Sequence, residues 1–361
     1  MNARIAGVLV VLLIALGGGA LLVREQQSSP KSAGEGTLGQ PLLKGLQASQ
    51  VAGIAIREPK GAIRIAKKDE RWTIAERGGF PADLDKVREF VVKAIGLKVG
   101  QMEPVGEKDR ARLLLDAGGT AIEFLGADGK PLARLTAGRK YFKTEPENPE
   151  KANGDGRYVA LPGDEKRVLV VADPLVQAST RSADWISKAG FAAEKVKTME
   201  VRAPDGASWK IERSGDNADW KLAGARASEK LDITKANSAS YSLSLIELAD
   251  VAPADVAPAD AKPEETGLDK PTVVTAATFD GLTYTLKVGK LAGENYYANV
   301  AIAGEPKPEG KDAEDRLKKI NERLPREKSL AAWTLLIPKS KLDDILRKRA
   351  ELLAPKEAKK K

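Results

Sequence analysis

Along the body of the chain, the spacing of apolar residues changes from a period of two, typical of strands, to a helical period. This change occurs twice. Apolar residues recur at every second position in two segments, 51–62 and 196–207, and both segments contain the pattern Arg-x-Pro-x-Gly-Ala. A period of two is typical of a half-buried β-strand. Because Pro and Gly suit the turn between two strands, each segment is predicted to open a β-hairpin. A third strand is predicted in each unit, at 72–74 and at 220–222.

A helical period follows the strands in both units. Apolar residues then recur at spacings of three and four, namely Val87, Phe90, Val91, Ala94 and Ile95 in the first unit and Ala236, Ala239, Leu243 and Ile246 in the second. Each run begins just after an aspartate, Asp83 or Asp232, at the position where an N-cap side chain accepts from free backbone N–H groups. Both aspartates are therefore interpreted as helix caps and not as catalytic groups.

Further strands and short helices complete each unit. Strands are predicted at 132–137, 158–161 and 167–171, and again at 283–288, 297–302 and 333–337; helices are predicted at 174–180, 312–324 and 339–353. The predicted fold class is α+β: two related repeat units of mostly antiparallel strands with one main helix each, preceded by a single N-terminal transmembrane helix. Tandem Val-Ala-Pro-Ala-Asp motifs at 251–260 indicate an extended surface loop, in which Asp255 and Asp260 are not expected to act as a catalytic pair.

The N-terminal segment differs from the rest of the chain. Residues 5–23 form an uncharged run of 19 residues between Arg4 and Arg24. A helix of this length spans about 28 Å, close to the hydrocarbon thickness of a bilayer. A membrane anchor is favoured over the alternative, a cleaved signal peptide, because the end of the run is a poor cleavage site. The expected localisation is the bacterial inner membrane, single-pass, with the large C-terminal body facing the periplasm.

Five segments are predicted: a transmembrane anchor at 1–24, a flexible tether at 25–46, repeat unit 1 at 47–190, repeat unit 2 at 191–354 and a basic tail at 355–361. The boundary near residue 190 stays open because Trp185-Ile186 could pack on either unit. The tether contains a G-x-G-x-x-G match at Gly34, Gly36 and Gly39, but no strand precedes it. A phosphate-binding loop needs that strand, so the match is interpreted as coincidence.

The amino-acid composition excludes several classes of site and of partner. The chain contains no cysteine and no histidine, which excludes disulfides, thiolate nucleophiles, Cys-ligated zinc and Ser-His-Asp triads. The net charge of +8 is concentrated in the tail and the N-terminal flanks, so the body is nearly neutral and nucleic acid is not an expected partner. No catalytic, cofactor-binding or metal-ligating residue is predicted, and no cofactor.

Several features together resemble a bacterial family, domain of unknown function 4340, over about residues 47–353. They are the N-terminal apolar run, the strands at 72–74 and 220–222, the helix start Pro81-Ala82-Asp83, and the segment Gly267-Leu268-Asp269-Lys270-Pro271. The first unit departs from the last of these, since 114–118 lacks both Gly-Leu and Pro. Members of the family are often encoded beside gliding-motility-type ABC transporter components. The resemblance therefore implies a transporter-associated envelope role, and it carries over no catalytic residue.

The expected function is that of a membrane-anchored extracytoplasmic accessory or scaffold protein, without catalysis. Its expected partners are the inner membrane and protein subunits of an ABC-type or gliding-type transporter. Two alternatives stay open. A carboxylate-dependent envelope hydrolase needs only two Asp or Glu residues, and none of the 51 acidic residues is distinguished by its context. The other alternative is a small-ligand binding module between the two units.

Overall fold

The computed structural model describes residues 38–253 and 263–355. Two antiparallel sheets account for most of the regular structure in these ranges. Most of their buried apolar side chains form one continuous cluster, which runs from the first sheet into the second. Leu42, Leu43 and Leu46, from the stretch predicted as a tether, belong to this cluster.

Nine strands form the first sheet in the described part of the chain: β1 (Gly53–Glu58), β2 (Gly61–Lys68), β3 (Arg71–Ile74), β4 (Phe80–Pro81), β5 (Val99–Pro104), β6 (Thr120–Leu125), β7 (Pro131–Tyr141), β8 (Gly156–Ala160) and β9 (Arg167–Val171). Their order across the sheet is β4-β3-β2-β1-β6-β7-β8-β9-β5. Helices α1 (Leu84–Gly96) and α2 (Glu107–Arg112) lie in the same stretch of sequence.

Eight described strands form the second sheet: β10 (Val196–Arg202), β11 (Ser208–Glu212), β12 (Lys221–Leu222), β13 (Asp250–Val251), β14 (Thr272–Thr278), β15 (Thr283–Ala292), β16 (Asn295–Ala303) and β17 (Leu335–Pro338). The helices here are α3 (Ile233–Ser242), α4 (Pro263–Thr266), α5 (Ala313–Ser329) and α6 (Lys339–Leu342). The order β12-β11-β10-β14-β15-β16-β17-β13 matches that of the first sheet strand by strand. Among the described strands, β4 alone has no counterpart.

Alternating isoleucines hold the first hairpin in register. Ile54 and Ile56 of β1 lie opposite Ile65 and Ile63 of β2, and all four side chains are buried. Because side chains alternate between the faces of a strand, this spacing places all four on the core face. The predicted hairpins are confirmed in both sheets, since β10 also pairs with β11.

Both predicted N-caps are confirmed. The Asp83 side chain accepts from the backbone N–H groups two and three residues later, at 3.1 and 3.4 Å. The Asp232 side chain does the same at 3.0 and 3.3 Å. Each carboxylate therefore satisfies N–H groups that the first turn of a helix leaves without a partner.

The predicted α+β fold class is wrong, because antiparallel sheets dominate and helices are few. The expectation of one main helix per unit also fails in the second unit, where α5, with 17 residues, is longer than α3. The helix predicted at 174–180 is a turn. The Leu175 N–H donates to Asp173 Oδ1 at 2.7 Å, and Leu175 has a φ of 53°. An Asp side chain that bonds its own chain two residues later favours such a turn over a helix.

The helix predicted at 339–353 continues only to Leu342 as α6. Beyond that point the described chain forms only a short 3₁₀-helix, Arg349–Leu352, and distant groups bond two of the backbone carbonyls. The Arg347 carbonyl accepts from Trp209 Nε1 at 2.8 Å, and the Leu352 carbonyl accepts from the Asp232 N–H at 2.9 Å. These tertiary bonds decide the conformation of the segment.

The predicted transmembrane helix and the single-pass inner-membrane localisation are corrected as well. Within residues 38–253 and 263–355 no helix has the length and apolar character needed to cross a bilayer. The apolar run at 5–23, on which both expectations depended, lies outside the described residues.

Candidate functional site

A cleft of about 680 Å³ opens beside the second sheet. Its walls are the segment leading into β10, the loop after β11, helix α3, the turn between β14 and β15, and the first turns of α5. All of its lining residues fall between 193 and 319. The cleft therefore lies within the second predicted unit, and not between the units, where a ligand site was the alternative expectation.

Arg213 forms one wall of the cleft. Its guanidinium pairs with Asp216 at 3.0 Å, donates from Nε to the Val196 carbonyl at 2.7 Å, and lies over the Trp220 ring at 4.7 Å. A second cation, Lys195, approaches the same Asp216 carboxylate at 3.4 Å. Since packing over an aromatic face adds to the ion pair, Arg213 is held firmly in this position.

Arg316, on α5, also lines the cleft. Its Nη2 atom donates to Asp280 Oδ1 at 2.7 Å and to the Glu309 carbonyl at 3.1 Å. Asp280 is buried, whereas the Nε atom of Arg316 is buried without a hydrogen-bond partner among the described residues. Most buried polar groups in proteins are paired, so this guanidinium is only partly satisfied.

Polar side chains of α3 and the turn after it line a third wall. Asn237, Ser240, Tyr241 and Ser244 follow the spacing of one helix face and all line the cleft. The two serine hydroxyls donate to nearby helix carbonyls, and Asn237 Oδ1 accepts from Trp220 Nε1 at 3.1 Å. The Tyr241 side chain is largely exposed at the opening. This wall of the cleft therefore offers hydrogen-bonding groups.

A buried cluster behind the cleft attaches α5 to the sheet. Glu327, buried on α5, pairs with Arg323 at 2.8 Å and accepts from the Tyr284 hydroxyl of β15 at 3.4 Å. Arg323 also donates to the Ala192 carbonyl at 2.6 Å. Burial, together with the negative charge of Glu327, raises the pKa of the Tyr284 hydroxyl above its usual range.

The raised pKa of Tyr284 predicts that the protein loses stability at alkaline pH. In the unfolded chain Tyr284 releases its proton near pH about 10, whereas the folded protein retains it, so stability falls as pH rises above that value. Tyr284→Phe removes the proton difference and is expected to flatten the decline. Urea unfolding at a series of alkaline pH values measures this. Tyr241→Phe, which removes an exposed hydroxyl, is the matched control, and an equal slope in wild type and Tyr284→Phe would contradict the prediction.

The two sheets meet at a second polar feature, which we call the junction and define by Arg77, Ser182 and Asp250. Arg77 follows β3 of the first sheet, and Asp250 lies in β13 of the second. Arg77 reaches the Asp250 carboxylate through Nη2 at 2.9 Å and through Nε at 3.3 Å. The Ser182 hydroxyl donates to the same carboxylate at 2.5 Å. Only 20% of the Arg77 side chain and 16% of the Asp250 side chain are exposed, so water weakens this ion pair little.

An apolar contact also joins the two sheet regions. The Phe80 and Trp333 rings, one from each sheet region, meet edge to face with centroids 5.2 Å apart. Trp185 packs against Phe90 of α1 at 5.3 Å, and its carbonyl accepts from the Asp83 N–H at 2.7 Å. These two contacts of Trp185 are both with residues of the first predicted unit.

The two tryptophans of the predicted third strands both contact the core. Trp220 is buried and Trp72 is half-buried against the core, as expected of strand aromatics. Gly34, Gly36, Asp255 and Asp260 lie outside the described residues. Arg213 and Arg316 of the cleft were missed, because they are far apart in the sequence and share no motif. No cluster of three or more acidic side chains within 38–253 and 263–355 is placed to hold a metal ion.

Comparison with known proteins identifies the family. A family model described as a domain of unknown function, DUF4340, matches residues 72–271. No curated protein and no solved structure matches the chain. The match begins in β3 of the first sheet and ends just before β14 of the second, and it covers more than half of the sequence. The chain therefore belongs to the DUF4340 family.

Proposed function

We propose that this protein is a non-catalytic accessory protein, a scaffold that holds protein subunits of an ABC-type transporter complex. The observation that carries the proposal is the junction between the two sheets. A scaffold must keep its contact surfaces at a fixed separation, and the junction joins the sheets through a shielded ion pair and packed aromatic rings.

The matching strand orders support this role. If the two units are copies of one unit, as the sequence repeat suggests, the protein presents two similar surfaces. Arg77 follows β3 and Asp250 lies in β13, so the bond between them contributes to holding these surfaces at a fixed angle. The class of partner follows from the resemblance of the sequence to a family associated with transporter components.

Affinity capture of the tagged full-length chain from its native cells, with quantitative mass spectrometry, tests the proposal. Wild type is expected to enrich transporter subunits several-fold over an untagged control. Asp250→Asn keeps the size of the junction side chain but removes its charge, and it is expected to capture several-fold less. Arg134→Ala, which breaks an exposed ion pair with Glu123 within the first sheet, is the matched control.

Two results would contradict the proposal. If wild type enriches no transporter subunit, the partner class is wrong. If Asp250→Asn is folded by circular dichroism and captures as much as wild type, the junction is not what maintains the contact surfaces. If Arg134→Ala captures as little as Asp250→Asn, the junction has no special role in holding the partners.

A further inference from the structure

We propose that the cleft beside the second sheet binds the oxyanion of a small polar ligand, a carboxylate or a phosphate, through Arg316, Lys319 and Asn237. This site is separate from the junction and does not depend on the scaffold role. Its volume of about 680 Å³ falls within the range of about 300–1,000 Å³ that small-molecule sites occupy.

The acidic groups of the cleft are largely occupied. Asp280 accepts from Arg316, and Asp216 is shared between Arg213 and Lys195. Glu194 is paired at 3.3 Å with Arg323 of the buried cluster behind the cleft. Asp219 is the remaining carboxylate of the lining, and it stands at an exposed position. The protein has thus already neutralised most of the charge that would repel an anion.

Three side chains of the cleft, by contrast, keep donors that are not used within the described residues. Arg316 bonds only through Nη2; its Nε is buried without a partner, and its Nη1 makes no hydrogen bond within the described residues. Lys319, one turn further along α5, is exposed and forms no ion pair within residues 38–253 and 263–355. Because Trp220 occupies Asn237 Oδ1, the amide NH₂ of Asn237 is left to donate.

An excess of donors selects a ligand that is rich in acceptors. Arginine and lysine form their strongest hydrogen bonds with carboxylate or phosphate oxygens. The hydroxyls of Ser240, Tyr241 and Ser244 add neutral polar groups around that position, so the rest of the ligand is expected to be polar as well. Carboxylate and phosphate share this chemistry, and the experiment distinguishes them.

Isothermal titration calorimetry of the full-length chain with inorganic phosphate and with citrate tests the site. Binding of at least one probe is expected. Lys319→Ala is expected to weaken it by about tenfold, because a charge-assisted bond is lost. The matched control is Lys318→Ala, which removes the neighbouring exposed lysine that does not line the cleft. Arg316→Lys keeps a positive charge beside Asp280 but removes the planar fork, and it is also expected to weaken binding about tenfold.

Each outcome decides the proposal. Binding of phosphate alone or of citrate alone supports the site and names its ligand class. If neither probe binds at millimolar concentration, the site is refuted. It is also refuted if Lys318→Ala weakens binding as much as Lys319→Ala, since general surface charge would then explain the effect. Circular dichroism verifies that Arg316→Lys is folded, and unchanged binding in the folded variant would overturn the role of Arg316.

Discussion

Replacement of Trp185 by alanine is expected to lower the free energy of unfolding by about 3–5 kcal/mol, the usual cost of removing a buried large aromatic side chain. Trp185 is only 2% exposed and packs against the ring of Phe90. Its Nε1 atom donates to the Ser179 carbonyl at 2.8 Å, and alanine leaves that carbonyl without this partner. Urea unfolding followed by far-ultraviolet circular dichroism measures the loss.

Two variants separate the causes of that loss. Trp185→Phe keeps most of the packing and removes the indole donor, so it is expected to cost about 1 kcal/mol for the lost hydrogen bond and a further small amount for reduced volume. Trp72→Ala removes a half-buried tryptophan and is expected to cost less than Trp185→Ala. A loss in Trp185→Ala no larger than that in Trp72→Ala would contradict the prediction that the more deeply buried side chain contributes more to stability.

The strands that could be predicted from the sequence are those with one buried face. Ile54 and Ile56, then Ile63 and Ile65, alternate with less buried residues, and the structure buries each of the four isoleucines. The helix caps could be predicted for a similar reason, because Asp83 acts on backbone groups within three residues. Local chemistry determines these elements, so a local pattern is enough to find them.

Two edge strands, β5 and β13, gave no comparable signal. In β5 only Val99 is fully buried, and the strand also contains Gly100 and Pro104. It forms because β9 offers a partner, with Val99 opposite Val171. The two-residue strand β13 likewise depends on pairing with β17. Non-local hydrogen bonding creates such strands, and alternation in their own sequence does not reveal them.

The cleft illustrates the same limit. Arg213 follows β11, whereas Arg316 lies on α5, and the fold alone brings them to one cavity. Neither residue belongs to a motif, and in the sequence each is one of 59 basic residues. What distinguishes Arg316 is a property of its surroundings, namely a buried Nε without a described partner. The absence of cysteine and histidine could limit the chemistry in advance, but it could not locate this site.

The junction brings together residues that are far apart in the sequence. Ser182 lies in the stretch that leads from the first sheet to the second, and Arg77 and Asp250 each lie near the edge of a sheet. Ser182 and Arg77 are 68 and 173 positions from Asp250 in the sequence, so these bonds form only when distant parts of the chain have folded together. Their strength therefore reports directly on how firmly the two sheets are joined.

Asp250→Ala is accordingly expected to lower the free energy of unfolding by about 3–5 kcal/mol, because it leaves the Arg77 guanidinium shielded from water without its partner. The Ser182 hydroxyl and the Val251 N–H, which bonds Asp250 Oδ1 at 2.8 Å, lose their acceptor at the same time. Arg134→Ala is the matched control. Its exposed pair with Glu123 is expected to contribute only about 0–1 kcal/mol.

A double-mutant cycle shows whether the ion pair itself is responsible. If the charge left unpaired causes the loss, Arg77→Ala combined with Asp250→Ala costs less than the sum of the two single variants, by about 1–3 kcal/mol. Arg77→Met with Asp250→Leu restores apolar packing and is expected to recover more of the stability, because removing both charges also removes their desolvation cost. Additive losses in the cycle would mean that Arg77 and Asp250 stabilise the protein separately, each within its own sheet, and that the junction does not couple the two.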